Sequence, residues 1–146
     1  METGVSYTDL QPNPDQRFVP LRRELGVSTF GLNQIVLQPG ERGRIHAHER
    51  QEEVYVVLEG TLTLIVEGEP VDLPHGRLAR VAPEVRRQLV NLGPSRVVII
   101  AAGGASPHEG RDGKSYRDWS DTVATPPQEL PLPENLPADQ LRTGPN

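Results

Sequence analysis

Two histidines and a glutamate lie close together in the first half of the chain. His46 and His48 are separated by one residue, and Glu53 follows five residues after His48. Alternate residues of a β-strand face the same side, so a strand here would direct both imidazoles to one spot. If the next strand turns the face of Glu53 inward, its carboxylate closes on the same spot. Two imidazoles and a carboxylate with open positions suit Fe(II), and also serve Mn(II), Ni(II) or Zn(II).

Strands are the elements that must position these side chains, and the sequence predicts several. Short apolar runs recur along the chain, with glycine and proline at their ends. The runs predict strands near residues 18–21, 28–37, 54–58, 61–66, 78–81, 88–92 and 97–102. This spacing of turn residues is typical of an all-β sandwich or barrel, and no helical periodicity of useful length interrupts it.

The chain of 146 residues is long enough for one domain with its own core. We predict an N-terminal arm at residues 1–28, a barrel at residues 29–102 and a Gly/Pro-rich tail at residues 103–146. Tyr116 and Trp119 predict that the first part of the tail packs on the barrel. The prolines after residue 126 suit either an extended strap or a disordered end, and both readings stay open.

Composition excludes several kinds of site and partner. The chain has no cysteine, which excludes disulfides, thiolate metal sites and a cysteine nucleophile. The net charge is -5, and the arginines are scattered among acidic residues, so we predict no nucleic-acid partner. The amino terminus lacks a basic cluster with an apolar core, and no run approaches the length of a membrane span. We therefore expect a cytoplasmic protein with no membrane contact.

The spacing around the histidines carries a resemblance to a known family. Gly40, His46, His48, Glu53 and Gly60 stand at the fixed spacing of the first conserved motif of the cupin superfamily, which this segment resembles. The flanking sequence QEEVYVVLEGTLTL is similar to the strand pair of that motif. The resemblance covers roughly residues 33–102. It implies a conical, antiparallel jelly-roll barrel with its pocket at the open mouth, and His46, His48 and Glu53 as metal ligands.

A second cupin motif is similar only in outline, through Gly76, Pro83, Val85 and Asn91. Where the family has a proline, a glycine and the fourth ligand histidine, this chain has Ala82, Glu84 and Arg87. Arginine stays protonated and offers no lone pair to a metal.

The alternatives for Arg87 are three. It could pair bidentately with Glu53, and the barrel would then hold no metal cofactor. It could instead bind the carboxylate of an anionic substrate beside the metal. It could also point outward to Glu84 or another surface acid.

Other side chains are weaker candidates for the pocket. Tyr55 shares the face of Glu53 and could be a proton donor there, or a buried tyrosine that fills space. Gln34 would contact a ligand from the preceding strand if its side chain faces the cavity together with Leu32 and Val36. His75 and His108 lie in turn or loop sequence, and we expect both to be exposed and outside the site.

Two functions remain open, because this barrel type does not determine the chemistry it supports. The first is a small metal-dependent cupin that binds an anionic small molecule through the metal and Arg87, as a dioxygenase or an isomerase. The second is a metal-free cupin that acts as a ligand-binding or sensing module, with Arg87 in place of the metal.

The runs at residues 54–58 and 97–102 are apolar at odd and even positions alike. A strand with one face in solvent should instead alternate apolar and polar residues. The arm, the tail or a second subunit could cover the outer face of these strands. Among these possibilities we predict a homodimer.

Overall fold

The computed structural model describes residues 4–105 and 112–143, and within these segments nearly all regular structure is β. One helix of five residues and two short 3-10 helices, Pro127–Glu129 and Ala138–Gln140, accompany the strands. The strands are β1 (Phe18–Val19), β2 (Gly31–Leu37), β3 (Ile45–His48), β4 (Glu52–Glu59), β5 (Thr61–Val66), β6 (Glu69–Pro74), β7 (Leu78–Val81), β8 (Arg87–Val90), β9 (Val97–Gly104) and β10 (Gly113–Tyr116). The predicted all-β class is confirmed.

The strands form two antiparallel five-stranded sheets. The first has the order β1-β2-β9-β4-β7 and the second the order β10-β3-β8-β5-β6. From β2 onward the chain crosses to the other sheet after every strand except β5, which forms a hairpin with β6. This alternation between two packed sheets is the jelly-roll arrangement that the sequence predicts.

The core lies between the two sheets. The apolar side chains that face it are almost completely buried, and they come from both sheets: Ile35, Leu37, Val57, Leu62, Leu64, Leu73, Leu89, Val97 and Ile99. Each aliphatic side chain buried in this way contributes about 1.5–3 kcal/mol. Along β9 the alternate residues Val98 and Ile100 face outward and are only half-buried. This buried core therefore holds together the strands that carry the site.

Besides β3, where the alternating histidines indicated a strand, two strands lie outside the predicted runs, and both are at the edges of the second sheet. β6 carries Pro70 and Pro74, which cannot donate to a central ladder and are tolerated in an edge strand. β10 has the short polar sequence GKSY and pairs with β3, so that Ser115 lies opposite His46. Edge strands need no continuous apolar run, because one side of each is left without a neighbouring strand.

The arm before β2 contains more structure than a strand at residues 18–21. The ladder of β1 stops before Pro20, which has no N–H to donate. The helix α1 (Leu21–Leu25) follows and ends at Gly26, whose φ of 78° suits glycine. Leu21 is buried, and α1 packs against β2. The arm thus covers the outer face of β2.

A buried glutamine fastens this arm to the sheet. Gln34 Oε1 accepts a hydrogen bond from the backbone N–H of Gln11, and Gln34 Nε2 donates to the Gln11 carbonyl, both at 2.7 Å. We expect Gln34→Ala to lower the free energy of unfolding by about 1–3 kcal/mol, because it removes two hydrogen bonds worth about 0.5–1.5 kcal/mol each. Gln38→Ala, at an exposed position, should change it by about 0.5 kcal/mol or less. Urea denaturation measures both, and equal effects would contradict this role.

The C-terminal segment lies along its own chain. The Leu130 carbonyl accepts from Arg44 Nε at 2.7 Å, and the Glu134 carbonyl accepts from Arg42 Nε at 2.9 Å. Near the end, Arg142 pairs with Asp72 at 2.7 Å. These contacts hold the tail across the second sheet and the loop that precedes β3. No helix in the described segments has the length and apolar character that a membrane span requires.

Candidate metal centre

Three ligand atoms converge where β3 and β4 face each other. His46 and His48 alternate with the buried Ala47 on β3, and both direct Nε2 toward Glu53 on β4. Glu53 Oε1 lies 3.4 Å from His46 Nε2 and 3.3 Å from His48 Nε2. One ligand atom from each of the three residues lies within 4.8 Å of the others. Donors about 2.1 Å from a tetrahedral ion stand about 3.4 Å apart, so this spacing fits a first-row metal.

Each imidazole is oriented through its other nitrogen. His46 Nδ1 donates to the Arg44 carbonyl oxygen at 3.2 Å, and His48 Nδ1 donates to Asp112 Oδ1 at 2.9 Å. Because both acceptors can only accept, each neutral ring carries its proton on Nδ1 and presents a lone pair at Nε2. His48 Nε2 is buried and makes no hydrogen bond. A cation would satisfy that atom, so the residues present fit a divalent metal.

The carboxylate of Glu53 is held in its charged form. Burial opposes its ionisation, but the imidazoles of His46 and His48 beside it outweigh burial and keep the pKa of Glu53 well below its ordinary value. Tyr55 OH donates to Glu53 Oε1 at 2.6 Å. Burial and the charge of Glu53 raise the pKa of Tyr55 well above its ordinary value. Tyr55 therefore keeps its proton, and the structure shows it positioning Glu53.

Asp112 is a component of the centre that the sequence analysis missed. Its Oδ2 accepts from the backbone N–H groups of Arg50 and Gln51 at 2.7 and 2.8 Å, while its Oδ1 holds His48. Although burial opposes ionisation, these hydrogen bonds lower the pKa of Asp112 to about 2. The register of β10 on β3, with Gly113 opposite His48, brings Asp112 here. No sequence signal marked it, because β10 itself was not predicted.

The hydrogen bond between His48 and Asp112 can be tested by substitution. Asp112→Asn should weaken metal binding by about 10–100-fold, because the partner that orients a ligand histidine loses its charge. Competition with a chelating dye measures this affinity. Asp118→Asn, in an exposed turn, is the matched control and should bind metal like the parent. Equal affinity in the two variants would remove Asp112 from the centre.

The position of Arg87 bears on each of its three alternatives. Its side chain is fully buried, so it does not point outward. One terminal nitrogen donates to the carbonyls of Val85 at 2.9 Å and Pro83 at 3.3 Å. The other lies 3.5 Å from Glu53 Oε1, which is a single contact and not a bidentate pair. Arg87 is also not among the residues that line the adjoining cavity, because its guanidinium is turned onto the carbonyls of the loop before β8. Its terminal nitrogens are therefore held by these carbonyls and by Glu53.

The candidate metal centre opens into a cavity of about 180 Å³. Apolar side chains such as Ile35, Leu37 and Leu89 form most of its wall. Phe18 from the arm and Pro127 and Leu132 from the tail also line it. The ligand histidines, Glu53 and Tyr55 lie at this same cavity, so the residues that the first motif predicted are brought together.

Gln34 does not face this cavity. The residues of β2 that line it are Asn33, Ile35 and Leu37, so the parity assumed for Gln34 was wrong by one residue. Its amide faces the arm, where it binds Gln11. His75 is exposed, as predicted, and His108 lies outside the described residues.

Comparison with known proteins relates the sequence and fold of this chain to one family. The family described as the cupin domain matches residues 33–103. A cupin protein from Bacteroides fragilis is 20% identical with a TM-score of 0.65, and the alignment covers 73% of this chain and 87% of that one. A sugar phosphate isomerase of the cupin superfamily from Silicibacter pomeroyi is 25% identical with a TM-score of 0.60, over 86% of this chain and 82% of that one. No curated protein sequence matches. The chain is a member of the cupin superfamily, and its cupin domain spans residues 33–103.

Proposed function

We propose that this cupin binds a divalent metal through His46, His48 and Glu53 and acts on a small anionic molecule in the adjoining cavity. The observation that carries the proposal is the orientation of the histidines. Both are held at Nδ1, and the buried His48 Nε2 faces the Glu53 carboxylate without a hydrogen bond. Three protein ligands leave positions open for a substrate.

The reaction that we propose is an oxidation by dioxygen or an isomerisation. A bound metal would polarise a substrate oxygen and, if it is Fe(II), would support dioxygen chemistry. The chain itself supplies an apolar wall that limits water and a carboxylate held by Tyr55. The Silicibacter pomeroyi relative, described as a sugar phosphate isomerase, supports the isomerase alternative.

The size of the cavity limits the substrate. A volume of about 180 Å³ corresponds to about six water molecules at about 30 Å³ each. Pockets for drug-sized ligands are about 300–1,000 Å³. The part of the substrate that enters the cavity is therefore compact, and a sugar phosphate would have to leave much of its length outside.

The experiment uses protein stripped with a chelator and reloaded with Fe(II), Mn(II), Ni(II) or Zn(II) one at a time. Ligand-observed NMR then screens small carboxylates and sugar phosphates, with an oxygen electrode in parallel. We expect ligand binding that requires metal. Oxygen uptake would assign an oxidation, and a changed product spectrum without uptake an isomerisation. Binding that is equal in stripped and loaded protein would contradict the proposal.

A metal-free binding module is the second candidate. The contact of the fully buried Arg87 with Glu53 Oε1 at 3.5 Å favours it, because a cation already lies beside the carboxylate. This function requires that stripped protein takes up no metal and still binds the anion. The NMR screen of stripped and metal-loaded protein described above, with the metal content of each sample, separates the two functions.

The predicted homodimer belongs to this proposal. On the outer face of the first sheet, Val54, Val56 and Ile100 are half-buried, and Leu78 is exposed. A second copy seated there would cover apolar surface that the arm leaves open. Sedimentation velocity should give twice the mass of one chain. The mass of a single chain at micromolar concentration would contradict the dimer.

A further inference from the structure

We infer that Arg44 and Ser115 form the anion-binding part of the cavity, and that the ligand they take is a compact carboxylate with an apolar body. This inference rests on the proposed function, since it names the ligand class of the same cavity. It assigns to Arg44 the role that the sequence analysis gave to Arg87. Both residues line the cavity together with the two histidines and Glu53.

Arg44 is fixed at the tail side of the cavity. It immediately precedes β3, and its Nε donates to the Leu130 carbonyl at 2.7 Å. Leu130 lies between Pro127 and Leu132, the two tail residues that line the cavity. The guanidinium is therefore held against the tail, and Arg44 lines both this cavity and a neighbouring surface pocket beside Leu130.

Arg44 has no acidic partner among the residues that the structure describes. In the described part of the chain no carboxylate lies within 4.0 Å of its guanidinium, and the bond from Nε is its one side-chain hydrogen bond. Arg17, Arg86 and Arg96 are each paired with a glutamate. The two terminal nitrogens of Arg44 remain available, and this fork suits a carboxylate bidentately. Arg44 is also the one arginine or lysine among the residues described as lining the cavity.

Ser115 provides an independent indication of a ligand. It lies on β10 directly opposite His46 and is 0% exposed. Its Oγ is buried and makes no hydrogen bond in the described structure. A buried hydroxyl without a partner is costly, so a polar atom of a ligand in the cavity would stabilise it.

The remainder of the cavity specifies the rest of the ligand. Ile35, Leu37, Leu89 and Ala101 offer apolar contacts, which disfavour a polar sugar body. The cavity of about 180 Å³ is smaller than the pockets of about 300–1,000 Å³ that hold drug-sized ligands, which favours a ligand with few non-hydrogen atoms. A short branched carboxylate meets these limits on charge, size and polarity.

Three probes of equal size test the inference: isobutyrate, neutral isobutyramide and methyl phosphate. Their dissociation constants are measured by NMR titration of Zn(II)-loaded protein. We expect isobutyrate to bind at least about tenfold more tightly than isobutyramide, as a charge-assisted contact to Arg44 requires. Methyl phosphate should bind more weakly than isobutyrate. If it binds more tightly, or if isobutyrate does not bind at millimolar concentration, the carboxylate assignment is overturned.

The variants identify the residues responsible. Arg44→Gln should reduce the preference for isobutyrate over isobutyramide to about twofold or less, and Arg44→Lys should retain part of it. Arg42→Gln is the matched control, because Arg42 makes the same kind of bond to the tail but does not line the cavity. Ser115→Ala should weaken the binding of isobutyrate and of isobutyramide by the same factor. An unchanged preference in Arg44→Gln would overturn the role of Arg44.

Zinc content is determined on the same samples, so the two proposals fail separately. The Arg44 carbonyl that holds His46 is a backbone group and persists in both substitutions. If Arg44→Gln keeps both its zinc and its preference for isobutyrate, this inference fails and the metal function stands. If the parent takes up no zinc, the proposed function fails. The preference measured on that protein, and its loss in Arg44→Gln, would still decide the role of Arg44.

Discussion

Replacing His46 and His48 together by alanine should reduce bound metal from about one ion per chain to background. Two of the three ligands are lost, and Glu53 alone offers no chelate. In the parent, metal at about 1,000 times its dissociation constant would stabilise the fold by about 4 kcal/mol. The double variant should show no such rise in melting temperature. Metal analysis and thermal unfolding, each with and without added Fe(II), Mn(II) or Zn(II), measure the change.

His75→Ala is the control for this experiment, because His75 is exposed in a turn outside the centre. It should keep the metal content and thermal response of the parent. Circular dichroism establishes that the double variant is folded. A double variant that still gains stability with metal would place the ion elsewhere and overturn the assignment of the centre.

Arg87→His should tighten metal binding by about 100-fold or more. A unit charge about 5 Å from a divalent ion opposes it by about 6–7 kcal/mol at an effective dielectric constant of about 20, and Glu53 offsets part of this. Residue 87 lies directly opposite His46 across β3 and β8, so a histidine there can add a fourth nitrogen. Both the loss of the cation and the gain of a ligand favour the ion. Isothermal titration calorimetry with Zn(II) measures the difference.

Arg87→Gln separates the two contributions, because it removes the charge without adding a ligand. It should tighten binding less than Arg87→His does. Both variants lose donors to the Pro83 and Val85 carbonyls, so unfolding without metal gives their structural cost. If Arg87→His binds zinc no more tightly than Arg87→Gln, residue 87 does not reach the metal position.

The triad could be predicted because it depends on local geometry. Strand alternation places His46 and His48 on one face of β3, and the short connection to β4 in the facing sheet returns Glu53 to that face. The fold could be predicted for a similar reason, since the central strands carry continuous apolar runs. The family match over residues 33–103 covers almost the same range as the resemblance read from the two motifs.

The rest depends on features that spacing does not encode. Arg87 points inward, one of the orientations that the sequence left open, and its guanidinium direction is set by carbonyls of the preceding loop. The face of Gln34 depends on strand parity, and a shift of one residue reverses it. Asp112 and Ser115 reach the site through β10, an edge strand without an apolar pattern. These features of the site therefore depend on contacts between segments that are far apart in the sequence.

Metal content is the most direct measurement of this centre. The untagged protein, purified without chelator, is analysed by inductively coupled plasma mass spectrometry. We predict near-stoichiometric iron, manganese, nickel or zinc, which would mean that three ligands suffice beside the buried Arg87. A protein that contains no metal, and takes up none when each ion is added back, would contradict a metal centre at His46, His48 and Glu53.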